Sequence, residues 1–375
     1  MLSSIKLTHF KCFEQLDLNC APLNLLCGLN GMGKSSVIQA LLVLRQSFET
    51  GELRNGRLVL AGERVGLGAG LDVLFDDAAD DTIRFALQRD DVADDWELAC
   101  EYSRTGDQLD ALPRDDGAAA GQVPAVWQKA PPFGGNLIYV NAERIGPRKL
   151  YPLSDVFARS GDFGASGEYA WNYLSHHRNE RLADDDPRCA IGERRRLRDA
   201  VDQWLQEVHP GVHLELEEVP AADAILPGFA FARLGDVATR PYRATNVGFG
   251  LSYVLPVILA LLSQPGTLCM IENPEAHLHP RGQTKLAELA TLAAGVGVQV
   301  FIETHSDHFI DGVRIAVRDG LITPEDTAFH YFERKGGKTI VSSPQVDRDG
   351  RLSRWPAGFF DQHEENLARL LAPRL

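Results

Sequence analysis

The stretch Gly28-Leu-Asn-Gly-Met-Gly-Lys-Ser35 matches the phosphate-binding pattern G-x-x-x-x-G-K-[ST] at every fixed position. Its glycines let the backbone curl so that successive N–H groups point inward at a phosphate. Lys34 is expected to reach the β- and γ-phosphates as a point charge, and the Ser35 hydroxyl to take one position on Mg²⁺. The predicted nucleotide-binding residues are Asn30, Gly31, Gly33, Lys34, Ser35 and Ser36.

The sequence on either side of this loop supplies the strand and the helix that the pattern requires. Residues 23–27, Leu-Asn-Leu-Leu-Cys, form a short apolar run typical of a buried strand. After the loop, Val37, Leu41, Leu44 and Phe48 recur at helical spacing. A pyrophosphate would lie at the N-terminus of that helix, where unpaired N–H groups favour an anion.

Length, composition and charge exclude several classes of protein. The 375 residues suit one large domain or two ordinary ones, and no run of 18 apolar residues predicts a membrane span. The first residues have no apolar signal-peptide core, and the six cysteines include no C-x-x-C pair. We therefore expect a cytoplasmic protein without membrane contact. A net charge of −14 argues against general nucleic-acid binding but leaves room for a local basic patch.

A second strand ends in an acidic residue far along the chain. Residues 266–271, Gly-Thr-Leu-Cys-Met-Ile, predict a buried strand that leads directly into Glu272. A carboxylate in that position is suited to a second contact with Mg²⁺. Ser35 and Glu272 are therefore the predicted metal-binding residues.

Two further stretches have the character of binding elements. Residues 245–252, Thr-Asn-Val-Gly-Phe-Gly-Leu-Ser, form a glycine-rich turn before an apolar helical pattern, which is a second candidate anion site. Residues 299–303, Gln-Val-Phe-Ile-Glu, predict a strand followed by Thr304-His305-Ser306. Ser306 is a natural N-cap for the helix that follows.

These elements, in this order, resemble the ATPase heads of the SMC, RecF and OLD (overcoming lysogenization defect) group. The resemblance begins with "F-K-x-F" at residues 10–13, between two strands that precede the phosphate loop. Residues 272–280, Glu-Asn-Pro-Glu-Ala-His-Leu-His-Pro, are similar to the D-E-P-E-x-x-L-H-P sequence of OLD and related ATPases. The resemblance implies one α/β P-loop NTPase head of the ABC/SMC type. Such a head has a mixed sheet, a strand-rich first lobe and a mostly helical insertion. The expected core lobe spans about 1–145 and 246–375, and the insertion about 150–245.

The resemblance also implies a composite site for ATP and Mg²⁺ that a second subunit completes, and hence a homodimer or larger oligomer. The glycine-rich turn at residues 245–252 of the second subunit would bind the γ-phosphate, and His305 would sense that phosphate. The usual Ser-Gly-Gly of this turn is missing, so either Asn246 or Ser252 would supply the side-chain contact. The implied binding residues of the turn are Asn246, Gly248, Gly250 and Ser252.

One departure from the family pattern concerns hydrolysis. The family usually has a carboxylate after the Mg²⁺-binding residue, whereas this chain has Asn273, and an amide cannot accept a proton from water. Either Glu275 is the general base, or turnover is slow and the protein works mainly as an ATP-dependent clamp or sensor. The candidate catalytic residues are Glu272, Glu275 and His305.

The function predicted from this resemblance is control of a separate effector or nuclease in prokaryotic antiphage defence. The sequence lacks the sustained heptads of a coiled-coil arm, and the residues after His305 are too few for the Toprim nuclease domain of OLD proteins. The alternative is a RecF-like DNA-repair ATPase, whereas a transporter subunit is disfavoured. DNA or a partner protein would meet the basic cluster at 194–198 or the aromatic residues at 355–360. Arg144 and Arg148 either contact phosphate or a neighbouring subunit, or form surface pairs.

Overall fold

The computed structural model describes residues 1–113, 119–189, 195–232, 239–354 and 369–371. The helices are α1 (Lys34–Glu49), α2 (Asp155–Ser160), α3 (Ala170–His177), α4 (Leu197–Val208), α5 (Phe249–Leu261), α6 (Pro280–Gly295) and α7 (Asp307–Arg318). The strands are β1 (Leu2–Phe10), β2 (Phe13–Asn19), β3 (Leu23–Gly28), β4 (Arg57–Val59), β5 (Thr82–Arg89), β6 (Trp96–Glu101), β7 (Gln108–Asp110), β8 (Leu137–Val140), β9 (Tyr151–Pro152), β10 (Val212–Val219), β11 (Ala224–Phe231), β12 (Tyr242–Arg243), β13 (Leu268–Glu272), β14 (Gln299–Glu303), β15 (Thr327–Lys335) and β16 (Lys338–Ser342).

The central sheet has the strand order β16-β15-β3-β14-β13-β8, and all its pairs are parallel except the β15–β16 hairpin. Strand β3 is apolar on both faces because the sheet is covered on both sides. Leu23, Leu25 and Cys27 join one hydrophobic cluster, and Leu26 joins the other. The carboxyl ends of parallel strands meet at one edge of such a sheet, which is where ligands bind in α/β folds. The phosphate loop, Glu272 and residue 303 lie at that edge.

The first lobe is the strand-rich unit that the sequence predicts. Strands β2, β1, β5 and β6 form an antiparallel sheet, and its buried face packs against α1 in the second hydrophobic cluster. The Gln299 side chain ties this sheet to the central one. Its Oε1 accepts from the Leu2 backbone N–H at 2.9 Å, and its Nε2 donates to the Leu2 carbonyl at 2.7 Å.

Residues 150–245 differ from the mostly helical insertion that the sequence predicts. They contain α2, α3 and α4, but also an antiparallel sheet of β10, β11 and β12 with β9 on β11. The sequence of β10, Val-His-Leu-Glu-Leu-Glu-Glu-Val, alternates apolar and polar residues as a half-buried strand does. Trp171 and Phe229 of this segment pack in the same cluster as the central sheet, so the division into core lobe and insertion stays a prediction.

Helix α5 is almost wholly apolar, and nearly all of its residues from Leu251 onward are buried. An all-round apolar helix belongs either in a protein core or in a bilayer. Of the helices in the described ranges, none combines the length and the apolar character that crossing a bilayer takes. The composition of α5 therefore reflects its place in the first hydrophobic cluster, against the central sheet.

Candidate nucleotide-binding site

The backbone of the phosphate loop has the conformation that its glycines predict. Gly28, Gly31 and Gly33 have φ angles of 131°, 76° and 97°. A Cβ at Gly28 would lie 2.3 Å from the Phe332 carbonyl oxygen, and one at Gly33 would lie 2.4 Å from the Cys12 sulfur. Gly33 is the N-cap of α1, whose first N–H groups have no partner within the helix and form an anion site.

Lys34 lies beneath the loop and is only 3% exposed. Its ammonium donates to the carbonyl oxygens of Gly28 and Leu29, both at 2.9 Å. It also lies 3.7 Å from a carboxylate oxygen of Glu303. Burial lowers the pKa of Lys34, and the charge of Glu303 acts against that shift. The lysine is therefore fixed at the loop with an acidic partner beside it.

Glu303 is a site residue that sequence reasoning missed. It is the last residue of β14, is 7% exposed, and accepts a hydrogen bond from the Ser35 hydroxyl at 2.7 Å. The signal was present in the sequence, because an acid at the end of a buried apolar strand is the same feature that singled out Glu272. The segment Thr304-His305-Ser306 directly follows Glu303, and the predicted role was assigned to His305 in that segment.

Glu272 lies one strand further along the sheet, as the direct register partner of Glu303. Its carboxylate accepts from the Tyr139 hydroxyl at 3.0 Å and from the Ala142 backbone N–H at 3.2 Å. Burial raises the pKa of Glu272, and the negative charge of Glu303 raises it further. Ser35, Glu303 and Glu272 together offer a hydroxyl and two carboxylates, the hard oxygen donors that suit Mg²⁺.

Arg144 fixes the backbone that follows this acidic strand end. It is 3% exposed, and its guanidinium donates to the carbonyl oxygens of Asn141, Glu272 and Asn273 at 3.2, 2.8 and 2.6 Å. Burial lowers the pKa of Arg144 to about 10. The sequence left open a contact of Arg144 with phosphate or a neighbouring subunit, or an ion pair at the surface. Binding buried backbone carbonyl groups is neither of these. Arg148, in contrast, is exposed.

Asn273 and Glu275 connect the strand end to the histidine. Asn273 has a left-handed backbone, with φ at 44°, and its N–H donates to the Glu303 carbonyl at 2.8 Å. One carboxylate oxygen of Glu275 accepts from the His305 N–H at 2.7 Å, whereas the other is buried without a partner among the described residues. Burial raises the pKa of Glu275. Partial burial and the charge of Lys34 lower the pKa of His305, whose side chain is exposed.

A cavity of about 390 Å³ lies over the phosphate loop, within the usual range for small-ligand sites. The "F-K-x-F" turn forms its other wall: Lys11, with φ at 54°, donates to Gln39 of α1 at 2.6 Å. All six loop residues predicted from the sequence line this cavity. The lining residues are Lys11, Cys12, Asn30, Gly31, Gly33, Lys34, Ser35, Ser36, Gln39 and Glu303.

The turn at residues 246–252 borders a different cavity, of about 680 Å³, and the described linings of the two cavities have no residue in common. Gly248 is the N-cap of α5, and a Cβ at Gly250 would lie 2.7 Å from the His277 carbonyl oxygen. Asn246 is exposed, whereas Ser252 is 2% exposed. Of the two side chains proposed from the sequence for a contact with a second subunit, only that of Asn246 is accessible in this conformation.

The basic cluster is only partly described, because Arg194 lies outside the described residues. Arg196 and Arg198 are exposed at the start of α4. Arg196 donates to the Asn179 side chain at 3.4 Å, and Arg198 lies 3.9 Å from Asp199. Their role in partner or nucleic-acid contact stays a prediction. The aromatic residues at 355–360 also lie outside the described residues.

Three family models match successive parts of the chain. Residues 1–134 match a family described as an AAA ATPase domain. Residues 170–311 match an AAA domain family whose description names, as a candidate, the AbiEii toxin of a type IV toxin–antitoxin system. Residues 322–370 match a family described as a protein of unknown function, DUF3696. No curated protein matches the sequence.

The fold itself is that of solved SMC heads. One such head, bound to the C-winged helix domain of ScpA, gives a TM-score of 0.54 at 14% identity over 92% of this chain and 98% of its own. Another has an extended coiled coil and is bound to the C-terminal domain of ScpA derived from Pyrococcus furiosus. It gives a TM-score of 0.52 at 12% identity over 99% of both chains. Two segments of the chain thus match AAA ATPase families, and its fold is that of ABC/SMC-type ATPase heads.

The two AAA matches each cover part of the candidate site. The first covers the phosphate loop, and the second covers the turn at 246–252, the acidic strand end and His305. The α/β P-loop fold of the ABC/SMC type that the sequence predicts is therefore confirmed. The roles of individual site residues stay predictions.

Proposed function

We propose that this ATPase head dimerises around ATP and Mg²⁺ and so controls a separate effector or nuclease in prokaryotic antiphage defence. The observation that carries the proposal is the separation of the two anion-binding elements. The phosphate loop and the turn at 246–252 border different cavities, and both have exposed residues. A second copy of the chain can bring its turn to the loop of the first. The AbiEii toxin in the description of one matching family supports a role in defence.

The described residues suit the binding of ATP. The loop N–H groups, the start of α1 and Lys34 would hold the phosphates, and Ser35 and Glu272 would hold Mg²⁺, which neutralises phosphate charge when bound. Asn246 of a second copy would contact the γ-phosphate, and the exposed His305 would sense it. Because the contact between Asn246 and the γ-phosphate would exist only in the closed dimer with ATP, ATP would favour that dimer and hydrolysis would release it.

Nucleotide-dependent self-association is the direct test of the proposal. We expect sedimentation at micromolar protein to show monomers without nucleotide and dimers with a non-hydrolysable ATP analogue and Mg²⁺. Asn246→Ala should weaken this association at least about tenfold, since it removes a polar contact in a desolvated interface. Its nucleotide affinity as a monomer should be unchanged.

Asn55→Ala is the matched control for Asn246→Ala. Asn55 is also exposed, but it follows α1, whose 16 residues separate it from the phosphate loop by about 24 Å. The Asn55→Ala variant should dimerise as the unsubstituted protein does. ATP-dependent dimerisation would be contradicted if the unsubstituted protein stayed monomeric with the ATP analogue, or if it dimerised equally well without it. Hydrolysis or cleavage assays with products of neighbouring genes then test control of an effector.

Glu275→Gln tests the assignment of the general base. The amide keeps an oxygen acceptor for the His305 N–H but cannot take a proton from water. We expect steady-state ATP hydrolysis to fall about 10²–10⁴-fold while ATP affinity is retained. Asn273→Glu is the companion variant, and faster hydrolysis in it would mean that the parent is a slowed switch. Hydrolysis by Glu275→Gln at the parental rate would show that another group is the base.

A further inference from the structure

We propose that a cavity beside the end of α1 is a docking site for a partner protein that inserts an arginine or lysine side chain flanked by apolar residues. The cavity measures about 700 Å³, and its described lining has no residue in common with that of the cavity over the phosphate loop. Its walls come from residues 46–64, from residue 139 on β8 and from residues 157–169. The docking site does not depend on ATP, and only its link to the nucleotide site rests on the proposed function.

Aromatic rings supply the apolar part of the cavity. Phe157 and Tyr169 are stacked with ring centroids 3.8 Å apart and an interplanar angle of 10°, and both line the cavity together with Tyr139. Phe157 is 36% exposed, and Val156 beside it on α2 is 76% exposed. An apolar patch rimmed by polar residues is typical of an interaction surface. Because the face of an aromatic ring also attracts a cation, these rings suit the stem and the charge of a basic side chain.

The charges that line the cavity are unbalanced. Four carboxylates face a single guanidinium, which gives the lining a net charge of −3, and these residues are Glu49, Glu63, Arg64, Asp162 and Glu168. The guanidinium of Arg64 donates to Glu49 at 2.6 and 2.9 Å and to Asp162 at 3.1 Å. Arg64 thus neutralises part of this charge and joins the two sides of the cavity.

Two of the carboxylates are left for an incoming cation. Glu168 accepts a hydrogen bond from the Ser166 hydroxyl at 2.6 Å, and Glu63 is exposed. Neither carboxylate forms an ion pair within the part of the chain that the structure describes. Lysine and arginine carry their charge on a long apolar stem, and so match a site that combines aromatic rings with carboxylates. Charge complementarity therefore identifies the occupant as a basic side chain of a partner protein.

Tyr139 connects this cavity to the candidate nucleotide site. Its side chain lines the cavity, and its hydroxyl donates to Glu272 at 3.0 Å. In the proposed function, the Tyr139 hydroxyl and Mg²⁺ share the carboxylate of Glu272, so nucleotide binding should loosen the Tyr139 ring and weaken docking. By linkage, a docked partner should weaken binding of the magnesium nucleotide by the same factor. A partner thereby reaches the ATP site without contacting the phosphate loop.

The test uses the full chain and two probes of similar shape, N-acetylarginine amide and its uncharged counterpart N-acetylcitrulline amide. In saturation-transfer NMR titrations we expect a dissociation constant of about 1 mM for the arginine probe, as its size allows. The citrulline probe should bind at least about tenfold more weakly, because it lacks the charge. The tripeptide amide N-acetyl-leucyl-arginyl-leucine should bind more tightly than the arginine probe, and Val156→Ser should remove that gain.

Charge variants test the assignment of the cavity. Glu63→Lys should weaken binding of the arginine probe at least about tenfold, since it places a like charge in the site. Glu168→Gln should weaken it in the same direction, and replaces Glu63→Lys in the comparison if that variant does not fold. Glu217→Lys is the matched control, because Glu217 is an exposed glutamate of β10 outside the cavity, and it should bind the probe as the unsubstituted protein does.

Tyr139→Phe tests the link to the nucleotide site, because it keeps the ring and removes the hydroxyl that reaches Glu272. In the unsubstituted protein, a non-hydrolysable ATP analogue with Mg²⁺ should weaken binding of the arginine probe at least about threefold. In Tyr139→Phe the probe should bind equally well with and without the analogue. A difference that persists in this variant would overturn the link.

The outcomes separate the docking site from the proposed function. Equal affinities for the arginine and citrulline probes would overturn the docking site, and so would equal effects of Glu63→Lys and Glu217→Lys. Tighter binding of spermidine than of the tripeptide would also overturn it, since the ligand would then be a free polyamine. If the unsubstituted protein bound the arginine probe but no ATP analogue, the proposed function would fail while the docking site would be supported.

Discussion

Lys34→Ala is expected to lower nucleotide affinity at least about 100-fold. The lysine lies at the phosphate loop and is the one cation among the loop residues, so its loss removes the charge-assisted hydrogen bonds that a phosphate would receive. Each such bond contributes about 1.5–3 kcal/mol, and 1.4 kcal/mol corresponds to a tenfold change. The measurement is titration of a fluorescent ATP analogue, with thermal unfolding to show that the variant folds.

Lys6→Ala is the matched control for Lys34→Ala. Lys6 is an exposed lysine of β1 whose ammonium lies 3.7 Å from Asp17, a surface pair of small energetic weight. It should bind nucleotide as the parent does. Unchanged nucleotide affinity in Lys34→Ala would refute the assignment of residues 28–35 as the phosphate site.

Arg144→Met is expected to reduce the free energy of unfolding by about 3 kcal/mol. The substitution keeps an apolar stem but leaves three carbonyl oxygens, those of residues 141, 272 and 273, without the guanidinium. Leaving a buried acceptor unsatisfied costs about 1–3 kcal/mol. The same loss frees the backbone at Glu272 and Asn273, so hydrolysis should fall more than nucleotide affinity. Chemical denaturation and steady-state hydrolysis are the measurements.

Arg148→Met provides the comparison within the same segment. Arg148 is exposed, and substitutions at exposed positions usually change stability by less than about 0.5 kcal/mol. Arg144→Lys should recover part of the stability lost in Arg144→Met, because an ammonium can still donate to one or two of the carbonyl oxygens. Equal stability of the Arg144→Met and Arg148→Met variants would contradict the structural role of Arg144.

The phosphate loop and the elements around it were predictable because their signals are local. Glycine spacing, a short apolar run and a helical repeat are each contained within about ten residues, and β3, α1 and the N-cap at Ser306 lie where these patterns indicate. The strand end at Glu272 follows the same rule. The order of these elements along the chain was then enough to predict the fold, and the similarity to SMC heads confirms that fold.

The remaining parts of the site depend on proximity between distant segments. Nothing near Arg144 in the sequence shows that its guanidinium meets carbonyl groups 128 and 129 residues away or that Arg148 stays at the surface. The burial of Ser252 likewise follows from the packing of α5, not from its glycine-rich turn. Glu303 differs from these cases. The sequence marks it as acidic at a strand end, but only the sheet order shows that its strand is the one beside the phosphate loop.

The strand order also has a consequence for how this protein is made. Strand β3 carries the phosphate loop and is complete early in synthesis, but its sheet neighbours β14 and β15 span residues 299–303 and 327–335. An apolar strand with two unpaired edges is a template for aggregation until those neighbours emerge from the ribosome. Contacts of such long sequence separation also form slowly. We therefore expect the nascent chain to depend on chaperones, and the strand that carries the phosphate loop to gain its sheet neighbours only after most of the polypeptide has been translated.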